Sequence, residues 1–222
     1  MTTRTTHCPY CNHQIDVDCH DSINTMINPN LVSSVKNNTI FNTVCDGCSK
    51  EVQFAYDCVY NDVENNFMVY LLHQNDVELL KESILEIGKD NIKHLTLRYE
   101  TDTNHFAEKV RLLTDKLNDK AMEIYKLLVY LQVVENEKDK QIVDIIYAGY
   151  DDKTKAIEFW LLDSDNKKYQ IKSPFKQYLI IEDRFTTYVS NHPEDEEVRF
   201  EKIDLEWTQS PYVVEFIQTS RN

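Results

Sequence analysis

Between Gln14 and Cys19 the chain alternates polar and apolar residues, which sets Ile15, Val17 and Cys19 on one face of a half-buried strand. Residues 22–27 extend that pattern until Asn28-Pro29-Asn30 interrupts it, and residues 31–35 then read as a short helix or an irregular arm. Two further strands follow, at 39–44 and at 51–60, the second with Val52, Phe54, Tyr56 and Cys58 on a common face. The pairs Asn61-Asp62 and Asn65-Asn66 read as turns, and residues 67–72 form a continuous apolar strand. The first 72 residues therefore predict an antiparallel β unit.

The apolar period then lengthens. Val77, Leu80, Ile84 and Ile87 recur at helical steps, with Asn75 and Glu78 placed as a capping box and Gly88 as the helix terminator. Residues 94–99 read as a strand. A second helical region starts at Thr103 or Asn104 with Phe106, Val110 and Leu113, and continues through Leu117, Ala121, Ile124, Leu128 and Leu131 to about Val134. That long stripe has two readings, a seam against a partner helix or burial against the protein's own sheet. It spans barely two heptads, which favours burial and leaves a self-association surface open.

Glu135-Asn136-Glu137-Lys138-Asp139-Lys140 is a charged break and the candidate domain boundary. Beyond it, strands are predicted at 142–150, 156–162 and 168–171, with the turn between the last two at 163–166. Pro174 is placed to open a helix running to about Val189. The acidic run Glu194-Asp195-Glu196-Glu197 has no spaced oxygen-ligand pattern around it and reads as a solvated loop. Trp207 lies in a short helix or extended arm, and residues 212–217 in a final strand or helix. The fold class is α+β: an antiparallel β unit with a helical region over 1–134, and a β-rich C-terminal part over 141–222.

The antiparallel β unit carries two cysteine knuckles, Cys8-Pro9-Tyr10-Cys11 and Cys45-Asp46-Gly47-Cys48, which make it a zinc ribbon. A tight turn between cysteines two residues apart aims both sulfurs at one ion, and the second knuckle completes a tetrahedron of thiolates. The 33 residues between Cys11 and Cys45 exceed the common spacing, so the ribbon carries an insertion. A redox dithiol needs only one such motif and disulfides belong to secreted chains; neither context is visible. Cys8, Cys11, Cys45 and Cys48 are thus the expected Zn2+ ligands, and four thiolates leave no open position, so the site is structural. His7 and His13 flank the first knuckle as substitute ligands.

No catalytic constellation accompanies them. Cys19-His20-Asp21 holds nucleophile, base and carboxylate types, but neighbours on a strand face opposite ways. Cys58 reads as a small core residue, and His73, His94 and His105 are scattered. With only Gly47, Gly88 and Gly149, the chain has no phosphate loop, dinucleotide fingerprint or nucleophile elbow. The expectation is that the protein is not an enzyme.

Charge narrows the partners. The net charge of −14 is spread as −3 over residues 1–60, −6 over 61–150 and −5 over 151–222, and no segment offers a basic face. Affinity for nucleic acid rests on neutralising phosphates, so the distribution argues against general nucleic-acid or anionic-membrane binding. No apolar run reaches membrane-spanning length, and residues 1–7 lack the apolar core of a signal peptide, so a cytoplasmic location is expected.

The ordered set of His7-Cys8-Pro9-Tyr10-Cys11, the strand and arm at 23–30, residues 41–48, residues 56–72 and residues 112–124 resembles the bacterial CpXC family. The resemblance runs over about residues 7–134, and the tail with Ile203-Asp204-Leu205-Glu206-Trp207 is similar to the one that follows the domain in longer members. One departure is that the second knuckle carries Asp46 and Ser49 where Pro and Gly are usual, which bears on turn geometry and spares the four sulfurs. The resemblance implies a zinc ribbon with an associated helical region and assigns no activity. A protein-interaction or scaffolding module, with a protein partner or self-association, is the expected function; the alternative is a nucleic-acid-associated regulator using the ribbon tip.

Overall fold

A computed structural model describes residues 1–73, 76–86, 92–136, 141–165, 167–192 and 199–219. The chain divides into two compact units, Met1–Val110 with Val198–Glu201, and Arg111–Glu197 with Lys202–Asn222. The fold is mixed α+β.

The first unit opens on a hairpin that apolar patterning misses by half. Its second strand, β2 (Gln14–Cys19), alternates exposed and buried as the sequence predicts. Its first, β1 (Thr2–His7), is almost wholly exposed. Threonine favours the extended backbone, and cross-strand pairs hold it: Thr3 Oγ1 donates to Asp18 at 3.1 Å and Thr5 Oγ1 to Asp16 at 2.7 Å. Arg4 pairs with Asp21 at 2.6 Å. The chain continues through β3 (Ser22–Asn24), a 3-10 turn at Pro29–Leu31 and the short helix α1 (Val32–Lys36), so the predicted arm is partly helical.

A second hairpin, β4 (Asn42–Val44) with β5 (Glu51–Gln53), is smaller. The single strand expected over 51–60 is instead two strands, since β5 pairs with β4 while β6 (Cys58–Asp62) joins another sheet. One chain segment cannot serve both ladders without turning between them. Asn61 and Asp62, read as a turn, end β6; the turn falls at 63–66, where Asn66 takes φ 55° and the Asp62 carboxylate accepts the Asn65 backbone N–H.

With β7 (Phe67–Leu71), β8 (Thr96–Glu100) and β12 (Phe200–Glu201), β3 and β6 form a five-stranded sheet in the order β12-β8-β7-β6-β3. Both hairpins are antiparallel, but this sheet is mixed: only β6 and β7 run antiparallel, and the other three pairings are parallel. Parallel neighbours need a crossover. Helix α2 (Val77–Glu86) lies on the one from β7 to β8, with Ile84 buried beside Leu72, Leu97 and Phe200, and Val77 and Leu80 partly buried. The expected cap Asn75, the stripe residue Ile87 and the terminator Gly88 lie outside the described residues.

Helix α3 (Thr103–Thr114) is capped by Asp102, whose carboxylate accepts the backbone N–H of Asn104 and His105. It buries Phe106 and Val110 completely. The helical region expected to run on to Val134 breaks at 115–118, where Lys116 takes φ 58°, and restarts as α4 (Asp119–Asn136) with Asn118 Oδ1 capping Ala121 N–H.

In the second unit, β9 (Ile142–Asp151), β10 (Ala156–Asp163) and β11 (Lys168–Pro174) form an antiparallel sheet in the order β11-β10-β9. Its core joins Ile145, Tyr147, Ile157 and Phe159 to Ile124, Tyr125 and Val129 of α4, to Tyr178 and Phe185 of α5 (Phe175–Asn191), and to Val213 and Phe216 of α6 (Pro211–Thr219). Pro174 ends β11 in an extended conformation and precedes α5 as its N-cap residue, one place before the first turn in which the sequence puts it. Residues 212–217 are helical, and Trp207 sits in a 3-10 turn. The α4 stripe is divided: Ala121 and Ile124 are buried, but Leu128, Leu131 and Val134 are exposed, so burial accounts for only its first half. Of the charged segments, residues 137–140 and 193–198 lie outside the described ones. Among the described residues no helix is long and apolar enough to cross a membrane.

Candidate metal centre

Each hairpin turns through a knuckle, and the two knuckles are built alike. In the first, Cys8 N–H donates to His13 C=O at 2.8 Å and Asn12 N–H to Cys8 C=O at 2.9 Å. In the second, Cys45 N–H donates to Lys50 C=O at 2.9 Å and Ser49 N–H to Cys45 C=O at 2.7 Å. The residue four places after the leading cysteine is left-handed in both, Asn12 at φ 60° and Ser49 at φ 59°. The strands enter and leave in matching register, His7 opposite Gln14 and Val44 opposite Glu51.

Ser49 is the departure from the CpXC pattern, and it adopts the conformation that glycine would take at lower cost. Ser49→Gly is therefore expected to stabilise the protein by about 0.5–1 kcal/mol, read as a higher denaturation midpoint at fixed metal. Asn12→Gly should gain less, because asparagine tolerates this region.

The knuckles bring Cys8, Cys11, Cys45 and Cys48 together with all four sulfurs within 4.8 Å of one another. Cys8 Sγ lies 3.7 Å from Cys48 Sγ, and Cys11 Sγ 3.6 Å from Cys45 Sγ. An ion with metal–sulfur bonds of about 2.3 Å sets tetrahedral sulfurs about 3.8 Å apart, so the donor set fits such an ion. None of the four is in a disulfide. Cys8 and Cys45 are buried, whereas Cys11 is exposed and Cys48 partly so.

Crowding the sulfurs makes their charges interdependent. Desolvation acts to raise the Cys8 thiol, but backbone N–H groups of Tyr10 and Cys11 outweigh it and bring Cys8 down to about 7. The His13 backbone favours the Cys11 thiolate, yet desolvation and the neighbouring sulfurs push it up to about 12. Desolvation also raises Cys45. Four adjacent thiolates thus call for a cation. Metal affinity is expected to fall with pH, since every thiol that regains its proton competes with the ion. Above about pH 7 Cys8 has already ionised; below it Cys8 must also release a proton, so log affinity against pH should steepen by about one proton. Metal titrations between about pH 6 and 8 check this, and a constant slope would contradict it.

The other candidates stay apart. His7 and His13 contribute no atom to the sulfur cluster, and His13 Nε2 instead lies 3.1 Å from Asp46 Oδ1. Cys19 and Cys58 are buried away from it; burial raises both thiols, Cys58 to about 12, which suits core residues. His105 Nδ1 sits 3.0 Å from Glu108 Oε2. His73, His94 and His20 join no metal-ligating group among the described residues.

Sequence reasoning missed the contacts between the knuckles. A Cβ on Gly47 would lie 2.7 Å from His13 Cγ, and Lys50 Nζ sits 4.5 Å from the Tyr10 ring centroid. A signal for the shared turn was present in Asn12 and Ser49, four residues after Cys8 and Cys45. No signal marks the pairing across the site.

Neither the curated proteins nor the solved structures contain a match to this sequence. The family model described as CpXC protein matches residues 6–126, which take in both knuckles, the five-stranded sheet apart from β12, and α3. With more than half its length matched, the chain belongs to the CpXC family.

Proposed function

We propose that the four sulfurs hold one Zn2+ as a structural ion in a cytoplasmic protein, and that the protein is an interaction or scaffolding module rather than an enzyme. The gathering of four cysteine sulfurs within 4.8 Å of one another carries this reading. Four thiolates occupy every position of a tetrahedral zinc and leave none for water or substrate. A reducing compartment keeps such thiols available to metal. Tetrahedral sulfur also suits iron, so the ion's identity is the first thing to establish. The raised thiols of Cys19 and Cys58 support a role without a nucleophile.

Affinity capture from native cells, with metal analysis of the same sample, tests both parts. One zinc per chain is expected, with a co-purifying protein that is lost in the Cys45→Ser variant. Iron, or no metal, would overturn the zinc assignment. A partner retained in full without metal would overturn the dependence of the surface on the ion. The nucleic-acid reading has less support, given a net charge of −14. Steeply salt-dependent retardation of DNA or RNA would favour it instead.

A further inference from the structure

The two knuckles touch through more than the metal ligands. His13 and Lys50 occupy the same place, five residues after Cys8 and Cys45, and the backbone carbonyl of each closes its own turn. Their side chains reach the opposite knuckle. His13 lies against Gly47, where an added Cβ would come within 2.8 Å of His13 Cβ, and its Nε2 is 3.1 Å from Asp46 Oδ1. Lys50 lies over Tyr10, with Nζ 4.5 Å from the ring centroid. The contacts are related by the pseudo-symmetry of the hairpins: Tyr10 and Gly47 hold equivalent positions, each immediately before the second cysteine of its knuckle.

That position matters because the site is closed unevenly. Cys8 and Cys45, the leading cysteines, are 2 % and 0 % exposed, while Cys11 is exposed and Cys48 partly so. A competing ligand must therefore reach the ion from the Cys11 and Cys48 side. The crossed contacts fasten the residues that precede those two sulfurs. Exposed polar contacts contribute little to equilibrium stability, and His13 and Asp46 are 49 % and 78 % exposed, so the consequence falls on how easily this side opens.

We infer that His13 and Lys50 are positioning residues that clasp the two knuckles across the exposed side of the metal site and slow the escape of the ion. This rests on the proposed zinc reading and extends it from the ligands to the residues governing exchange. Groups around a metal that orient its ligands typically change affinity by about 10–100-fold when removed. These are solvent-facing, so the lower end of that range is expected.

The test uses the zinc-loaded chain of residues 1–222 and follows transfer of zinc to excess 4-(2-pyridylazo)resorcinol. Lys50→Ala with His13→Ala should release zinc about tenfold faster than wild type, and each alone by an intermediate factor. Lys50→Arg and Tyr10→Phe, which keep a cation over a ring, should release at close to the wild-type rate. Tyr10→Ala should not. Circular dichroism of the loaded variants is expected to match wild type, which separates a clasp from a folding defect. Zinc-loaded alanine variants with wild-type release rates would overturn the inference, as would Lys50→Arg releasing as fast as Lys50→Ala. A wild-type protein that binds no zinc would instead overturn the proposed function, a different and earlier failure.

Discussion

Removing the proposed zinc from the chain of residues 1–222 is expected to abolish protease resistance in the two knuckle hairpins, with the loss spreading from there through residues 1–72. A structural zinc contributes about 10–16 kcal/mol of apparent binding energy in small peptides, and a whole domain has a net stability of about 5–15 kcal/mol. The metal term is thus as large as everything else that holds the unit. The hairpins have little of their own to replace it: an isolated two-stranded sheet is marginal in water, β1 is almost fully exposed, and β4 with β5 pairs over three residues each. Ile15, Val17, Cys19 and Val52 are buried on the hairpins, so their loss uncovers apolar surface beneath. The second unit contains no cluster cysteine and has its own core around Tyr125, Phe159 and Phe185, so its helices should persist. Limited proteolysis with mapped cleavage sites, before and after verified metal removal, measures this directly. Cys45→Ser should reproduce the effect and Cys58→Ala should retain the metal. An unchanged cleavage map without zinc would end the structural-zinc reading.

The four-cysteine cluster was legible in the sequence because paired cysteines two residues apart declare themselves chemically. Two Cys-x-x-Cys turns imply one tetrahedral site wherever the intervening chain travels. Strands with a buried face were legible for a related reason, since Ile15, Val17 and Cys19 must alternate to share a core. β1 was not legible: its pairing uses threonine hydroxyls and aspartates, which resemble loop composition. The division of 51–60 was hidden because an alternating run carries no mark of which sheet each half will join. Helical spacing likewise records a stripe without recording what covers it, and of the stripe residues within α4 only Ala121 and Ile124 are buried. The His13–Gly47 and Lys50–Tyr10 contacts depend on two hairpins meeting at the four-sulfur cluster, an arrangement no local pattern encodes.

Phe41→Ala should destabilise the first unit by about 3–5 kcal/mol while leaving the zinc in place. Phe41 is fully buried between elements of different origin. Its ring meets Tyr56 edge-on at 5.1 Å and Phe106 of α3 at 5.9 Å, and its backbone carbonyl accepts the Phe54 N–H just beyond β5. It therefore joins the base of the second knuckle hairpin to α3. Truncation removes the transfer energy of a phenyl ring and leaves a cavity that Tyr56 cannot fill without giving up its hydroxyl contacts with the backbone of His20 and Ile40. None of this touches the sulfurs, whose geometry is set by the backbone bonds of 8–13 and 45–50. The loaded variant should thus show one zinc per chain, near-normal release to a chelator in native buffer, and a markedly lower denaturation midpoint. Phe41→Leu, keeping most of the volume, should recover much of the loss. If Phe41→Ala instead sheds zinc as readily as Cys45→Ser does, the knuckles are held by the core beneath them, and the metal is a consequence of the fold instead of its support.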